Sequence, residues 1–375
     1  MRVAVFESAV YPVERGSESV RSISGNTTLR TGRLIGLAAF AAIALASFEA
    51  LACTRFIYES GANDAIVGRS MDWAEDPGTD LWSFPRGLKR DGGAGPGSIE
   101  WTSKYGSVIS SFYNIATVDG MNDAGLVANA LYLAEADYGD AKASGKPLIS
   151  VGAWTQYVLD NYGSVAEAVE GLSKEPFAVM APELPNGRKA TGHLALADAS
   201  GDSAIFEYLG GKLVIHHDRK FTVMTNSPSF DQQLAIDAYW KGVNGLNFLP
   251  GTIGSADRFV RMSWSLGAAP KEKDQRLAVA TAFSLIRSIS VPLGLADPVK
   301  PNIAATIWRT VSDTGAGRYY FESAYSPSIF WVDFKKLKLA PGSAPARLDL
   351  SGRPILSGEV SDKFVPAEPF KFLSH

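Results

Sequence analysis

From Thr54 onward the chain alternates short β-prone runs with longer stretches of helical spacing. Thr54–Tyr58 and Ala65–Arg69 are rich in β-branched and aromatic residues, and the turn-forming segment SGAND separates them, which predicts a hairpin. Ser107–Ala116 and Gly125–Leu131 predict a second pair around a DGMNDAG turn. Helices are expected over Val151–Asp160 and Ser164–Leu172, joined by Tyr162-Gly163 with Ser164 as N-cap. Strands follow at His193–Ala197, Ala204–Tyr208, Lys212–His217 and Phe221–Thr225. Asp231–Tyr239, Arg258–Leu266 and Asp274–Ser290 read as helices, and Ala304–Ser312, Arg318–Ser323 and Ser328–Asp333 as strands.

Hairpins, a helix pair, more hairpins, helices and hairpins again describe an α+β protein with antiparallel sheets. The elements do not alternate as βαβ units and no Gly-rich loop follows a strand, which argues against a dinucleotide or P-loop domain. Two sheets between two helix layers is the natural packing. No repeat or Pro/Ser linker divides residues 53–375, so they are expected to form a single domain.

The first 52 residues are different. Arg30 and Arg33 precede the apolar run LIGLAAFAAIALASF at 34–48, and Ala50-Leu51-Ala52 follows. A basic region, a short apolar core and an A-x-A site make a secretory signal peptide. The run is shorter than the ~20 apolar residues a membrane span needs. Cleavage after Ala52, export to the periplasm or beyond, and no stable membrane insertion of the processed protein are therefore expected. Residues 1–30 are a poor signal n-region, so the start position is left open. A lipoprotein signal is the rival reading, although that would favour Leu at position −3, where Ala50 sits.

Composition narrows the chemistry. A net charge of −3 and the lack of a long basic run leave no footprint for nucleic acid or an anionic membrane. The single cysteine, Cys53, excludes an intrachain disulfide, a CxxC motif and a multi-cysteine metal site. With four histidines (His193, His216, His217 and His375) and no HExxH, a zinc site is not expected, and His193, His216 and His217 read as strand residues.

Cys53 directly follows the cut. A free α-amine has a pKa near ~7.7–8.0, so part of it is an unprotonated base at neutral pH. Nucleophile and base would then belong to one residue. A small buried thiol beside a cleavage site is the ordinary alternative.

The stretch CTRFIYESGANDAIVGRSMDW then brings Cys53, Arg69 and Asp72 into one hairpin and its exit. This resembles the choloylglycine hydrolase and penicillin V acylase family of N-terminal nucleophile hydrolases, which opens with Cys-Thr and continues to Asn-x-x-x-Gly-Arg-x-x-Asp. Here that pattern runs from Asn63 to Asp72 with one additional residue before Gly68. DGMNDAGL at 119–126, MTNSPSFDQQL at 224–234, SADRFVRM at 255–262 and SVPLG at 290–294 follow in the family's order. The resemblance implies an αββα sandwich. It also implies Cys53 as nucleophile, its amine as base, Asp72 holding that amine and Arg69 beside the sulfur. Asn226 and the Tyr132 N–H become oxyanion donors, Arg258 completes the polar network, and no metal or organic cofactor is needed. Taken singly, Arg69 and Asp72 also fit a surface ion pair, Asn226 a turn and Arg258 a solvated helix start.

Tyr132 occurs where bile-salt hydrolases of the family carry Asn, and Trp73 and Trp82 resemble the penicillin V acylases of Gram-negative bacteria. Phe56, Met71 and Met121, with Tyr132 and these tryptophans, are the candidate walls of an apolar acyl pocket. The resemblance points to a small acyl amide as substrate: penicillin V, a long-chain N-acyl-homoserine lactone or, alternatively, a conjugated bile salt. Family members form tetramers, but the segment between Asn226 and Arg258 is short, which leaves a homo-oligomer open. A lipid-anchored binding protein acylated at Cys53 is the reading from another class. N-terminal sequencing and intact mass separate the two: an unmodified Cys53 at the mature N-terminus is expected, and a diacylglyceryl group there would establish the anchor.

Overall fold

The computed structural model describes residues 53–62, 64–243, 248–295, 304–326 and 328–374. The expected signal segment with its cut site, Asn63 and His375 lie outside the described residues.

Two antiparallel sheets dominate. The first has seven strands in the order Val223–Thr225, Thr54–Glu59 (β1), Ala65–Trp73 (β2), Ala305–Asp313, Arg318–Ser323, Ile329–Asp333 and Gly358–Glu359; the last is added parallel to its neighbour. The second has nine, in the order Lys212–His217, Ser203–Leu209, Gly192–Ala197, Val127–Tyr132, Ala116–Asn122, Ser107–Phe112, Leu81–Phe84, Ala346–Leu348 and Val365–Pro366. Helices Val151–Asn161 (α1) and Val165–Leu172 (α2) pack on the nine-stranded sheet. Of the other three, Phe230–Gly242 (α3), Ser255–Ala268 (α4) and Gln275–Ser288 (α5), the last two lie against the seven-stranded sheet and α3 packs on α4. The architecture is the αββα sandwich that the resemblance implies.

Strand alternation explains the layers, because successive side chains point to opposite faces. In the nine-stranded sheet Leu81, Val108, Met121, Val127, Leu131 and Ala195 belong to the cluster between the sheets. Their neighbours Trp82, Ile109, Ala128, Leu194 and Leu196 pack under α1 and α2. Both strands of the first hairpin are buried almost throughout, including Arg55, Arg69, Ser70 and Asp72. Polar groups so deep need partners, which the neighbouring layers supply.

Helix boundaries follow the capping chemistry. Ser164 accepts from Glu167 N–H at the start of α2, and Asp274 accepts from Leu277 N–H at the start of α5. The second hairpin differs from the sequence expectation. The chain reverses at Tyr113 and Asn114, both left-handed at φ 53° and 51°, so DGMN completes the strand Ala116–Asn122. Asp123-Ala124-Gly125 forms the next turn, with Gly125 at φ 87°. A bulky Tyr in a left-handed turn gives no sequence signal.

Phe56 is fully buried on β1, and its ring covers Gly68 of the paired strand so closely that a Cβ there would lie 2.3 Å from it. Phe56→Ala is expected to lower stability by about 3–5 kcal/mol, measured by guanidinium chloride denaturation.

Candidate active site

Cys53 immediately precedes β1 and is 3% exposed. The pleat splits its surroundings into two sets. Arg55 and Arg69 point toward the nine-stranded sheet, where they reach Leu196 O at 2.7 Å and Ala130 O at 3.2 Å. Thr54 and Asp72 point the other way, toward Arg258 of α4.

Arg258 is fully buried and holds the second set together. Its Nη1 donates to Cys53 O at 2.8 Å and to Thr54 Oγ1. The same nitrogen lies 3.6 Å from Asp72 Oδ2, Nη2 lies 3.4 Å from Asn226 Oδ1, and Nε donates to Ile253 O at 3.0 Å. Asp72 also accepts from Thr306 Oγ1 at 2.6 Å and Ser70 Oγ at 3.3 Å. Burial lifts its carboxyl to about 6, against the pull of Arg258 and these hydroxyls.

Asn226 meets both Arg258 and Cys53. Its Oδ1 accepts the Cys53 N–H, and its Nδ2 donates to Tyr132 O at 2.7 Å. Asp72 was expected to hold the Cys53 nitrogen, whereas here the partner is Asn226. The nitrogen in this chain is a peptide N–H with a single hydrogen, while the role expected of Asp72 concerns a freed amine.

On the inter-sheet side Arg69 lies flat. Its guanidinium is 4.4 Å above the Trp308 ring, Nη2 is 3.8 Å from Met71 Sδ and Nε is 3.9 Å from Asp119 Oδ2. Nη1 has no hydrogen-bond partner among the described residues. The sulfur of Cys53 is 3.9 Å from Met71 Sδ and 3.8 Å from Asp72 O. Burial raises the thiol above its ordinary pKa; Arg69 opposes this, Asp72 adds to it, and a hydrogen bond to the Asp72 backbone together with Arg258 also opposes it.

Cys53, Arg69 and Met71 line a pocket that opens to solvent. Trp73, Phe112, Tyr132, Val151 and Leu184 continue its walls, an aromatic and aliphatic lining suited to an acyl chain. Trp73 packs edge-on against Phe112 at 5.2 Å and Tyr132 at 6.0 Å, and its Nε1 donates to Tyr113 Oη at 3.0 Å. Among the described residues no group of three His, Cys, Asp or Glu could hold a metal ion.

Met71, Trp73 and Tyr132 thus line the pocket, but three other candidate wall residues do not. Phe56 is one residue out of phase with the pocket face of β1 and packs on Gly68. Trp82 is out of phase with Leu81 and stacks on Phe84 at 5.7 Å under the helices. Met121 faces between the sheets but lies four residues along its strand from the pocket residue Thr117. Phe112, Leu184 and Thr306 were not anticipated. Each reaches the site from a segment remote in sequence, and an isolated Phe, Leu or Thr carries no local motif.

Residues 53–353 match the family described as linear amide C–N hydrolases, choloylglycine hydrolase family. A penicillin V acylase of Pectobacterium atrosepticum is 51% identical over 356 residues, covering 88% of this chain and 94% of the relative. A bile salt hydrolase/transferase of Clostridium perfringens is 26% identical over 314 residues, 76% of this chain and 94% of the relative. The structure of penicillin V acylase from Agrobacterium tumefaciens superposes with a TM-score of 0.80 at 50% identity, over 86% of this chain and 100% of that one.

The charges around Cys53 set the direction of a thiol titration. Arg69→Gln is expected to move the midpoint of Cys53 alkylation by iodoacetamide to higher pH, since it removes the strongest influence favouring thiolate. Asp72→Asn is expected to move it lower, because a negative charge is lost.

Proposed function

The chain belongs to the choloylglycine hydrolase family of linear amide C–N hydrolases, and from that premise we propose that it is exported, cut after Ala52, and acts through Cys53 as an N-terminal nucleophile on an aryl- or alkyl-acyl amide. The observation that carries this reading is the single cysteine lining an apolar pocket, with Arg69, Asp72, Asn226 and Arg258 all within its immediate polar surroundings. The family match that starts at residue 53 also supports it.

In this mechanism the Cys53 amine, unprotonated, accepts the Sγ proton. The thiolate adds to the acyl carbonyl carbon while Arg69 favours the anion. Asn226 Nδ2 has a second hydrogen beyond the one given to Tyr132 O. That hydrogen and the Tyr132 N–H receive the oxyanion, a type of contact worth about 3–4 kcal/mol per donor. Collapse breaks the C–N bond, and the departing amine takes the proton held by the Cys53 ammonium. Water then attacks the thioester, again losing a proton to the Cys53 amine, and the carboxylic acid leaves as the thiol is restored. Water is the only co-reactant.

The walls favour an acyl group that needs apolar burial and few polar contacts. Penicillin V fits through its aryloxyacetyl group, and a long-chain N-acyl-homoserine lactone through its alkyl chain. The higher identity to the penicillin V acylase than to the bile salt hydrolase/transferase favours this over a steroid amide. Purified mature protein should hydrolyse penicillin V or a long-chain acyl-homoserine lactone faster than glycocholate; the reverse order would overturn the specificity and leave the mechanism. Cys53→Ser should cost at least about 1,000-fold in kcat with the fold retained. A chain carrying one extra residue before Cys53 should be inactive, because its base would be an amide.

A further inference from the structure

We propose that Gln233 is the positioning residue that fixes Asn226 against Cys53. This rests on the role given to Asn226 above and adds a residue that touches neither the pocket nor the nucleophile. Gln233 lies in the first turns of α3 and is fully buried, while its neighbour Gln232 is exposed. Its amide is spent on the backbone of the segment that carries Asn226. Oε1 accepts Thr225 N–H at 3.1 Å and lies 3.2 Å from Thr225 Oγ1. Nε2 donates to Asn226 O and Pro228 O, each at 2.6 Å, and lies 3.3 Å from Thr225 O. The partners fix the amide's orientation, since a flipped group would set its oxygen against three carbonyl oxygens.

The segment needs such a clamp. Thr225 is its last residue paired in the sheet, against Thr54, and the chain then leaves the strand with Asn226 projecting to Cys53. Beyond Thr225 the backbone has no ladder to hold it, and Gln233 supplies the bonds that a strand would have made.

The clamp is itself anchored. Both carboxylate oxygens of Glu207 accept Phe230 N–H, at 3.0 and 3.1 Å, at the start of α3. Glu207 lies on the nine-stranded sheet, where His193 Nδ1 is 2.9 Å from Oε1 and His216 Nε2 is 3.4 Å from Oε2. Asn226 therefore reaches Cys53 from a frame that joins both sheets, and α3 transmits the position through one glutamine. A misplacement of 1 Å costs about 100-fold in rate when a catalytic geometry is at stake.

The test is a double-mutant cycle on mature protein, with kcat expressed per titrated active site so that a loss of folded protein does not count. Gln233→Leu should lower kcat by about 100-fold while KM stays within about twofold, because the pocket walls are untouched. In an Asn226→Ala background the same change should alter kcat by less than about twofold, since the group it positions is gone. Should Gln233→Leu not fold, Gln233→Glu keeps the shape and the acceptor for Thr225 N–H but loses the donor, and kcat should again fall at constant KM. The inference is overturned if Gln233→Leu, or Gln233→Glu in its place, retains full kcat, or if its effect persists undiminished without Asn226. If Asn226→Ala alone leaves kcat unchanged, the oxyanion role falls and the inference with it; a crippled Asn226→Ala beside an unaffected Gln233→Leu overturns the inference alone.

Discussion

A guanidinium sealed from water holds the centre of this molecule. Arg258 contributes a charge that the interior tolerates only if it is paired and hydrogen-bonded. Its partners are the Cys53 carbonyl, the Thr54 hydroxyl, the Asp72 carboxylate, the Asn226 side-chain oxygen and the Ile253 carbonyl. They come from β1, β2, the segment after Val223–Thr225 and the approach to α4. None of those segments can shift alone without leaving a buried polar group unsatisfied, at a cost of about 1–3 kcal/mol or more. The geometry around Cys53 is thus over-determined by electrostatics before packing is considered.

Packing then divides the labour across the pleat. On the helix side of β1 and β2 lie Thr54, Phe56, Ser70 and Asp72, which form a closed polar and aromatic layer under α4 and α5. On the opposite side Arg69, Met71 and Trp73 open into the apolar pocket. Cys53 precedes the first strand residue, where the two environments meet. The carboxylate that raises the thiol pKa and the guanidinium that lowers it therefore act from opposite faces of the same hairpin. On the proposed mechanism the thiol faces the apolar pocket while charges on both faces of the hairpin act on it.

Much of this was legible in the sequence where the signal was local. The first hairpin, the cap at Ser164 and the cap at Asp274 follow from residue types within a few positions of each other. The cluster of Cys53, Arg69, Asp72, Asn226 and Arg258 was legible through the ordered motifs, and Tyr132 through the family resemblance, although 173 residues separate Cys53 from Asn226. What failed was phase. Phe56 and Trp82 are aromatic residues near the right strands, but a one-residue offset turns each to the far side of its sheet. DGMN looked like a turn because Asp, Gly and Asn dominate it, yet buried pairing with Ser107–Phe112 and Val127–Tyr132 makes it a strand. Gln233 went unread for the opposite reason: in a helix rich in polar residues, only the folded backbone distinguishes the buried glutamine from the exposed one beside it.

The proposed cleavage would also change what the buried carboxylate experiences. In the intact chain Asp72 is held up to about 6 by burial, and one guanidinium nitrogen is shared between it and the Cys53 carbonyl. The Cys53 nitrogen there has a single hydrogen, which it gives to Asn226. On the proposed mechanism a cut after Ala52 turns that nitrogen into an amine, with hydrogens to spare and a charge when protonated. A cation added beside a buried carboxylate pulls the carboxyl pKa down. The carboxylate in turn favours the ammonium, so each group stabilises the charged form of the other. The same ammonium acts on the sulfur as Arg69 does and favours thiolate. Cleavage would then supply the base and also a positive charge beyond those of Arg69 and Arg258, which oppose but do not cancel the effect of burial on the acid and the thiol. On that mechanism the site assembled around Arg258 gains one further charge, which would arrive with the new N-terminus.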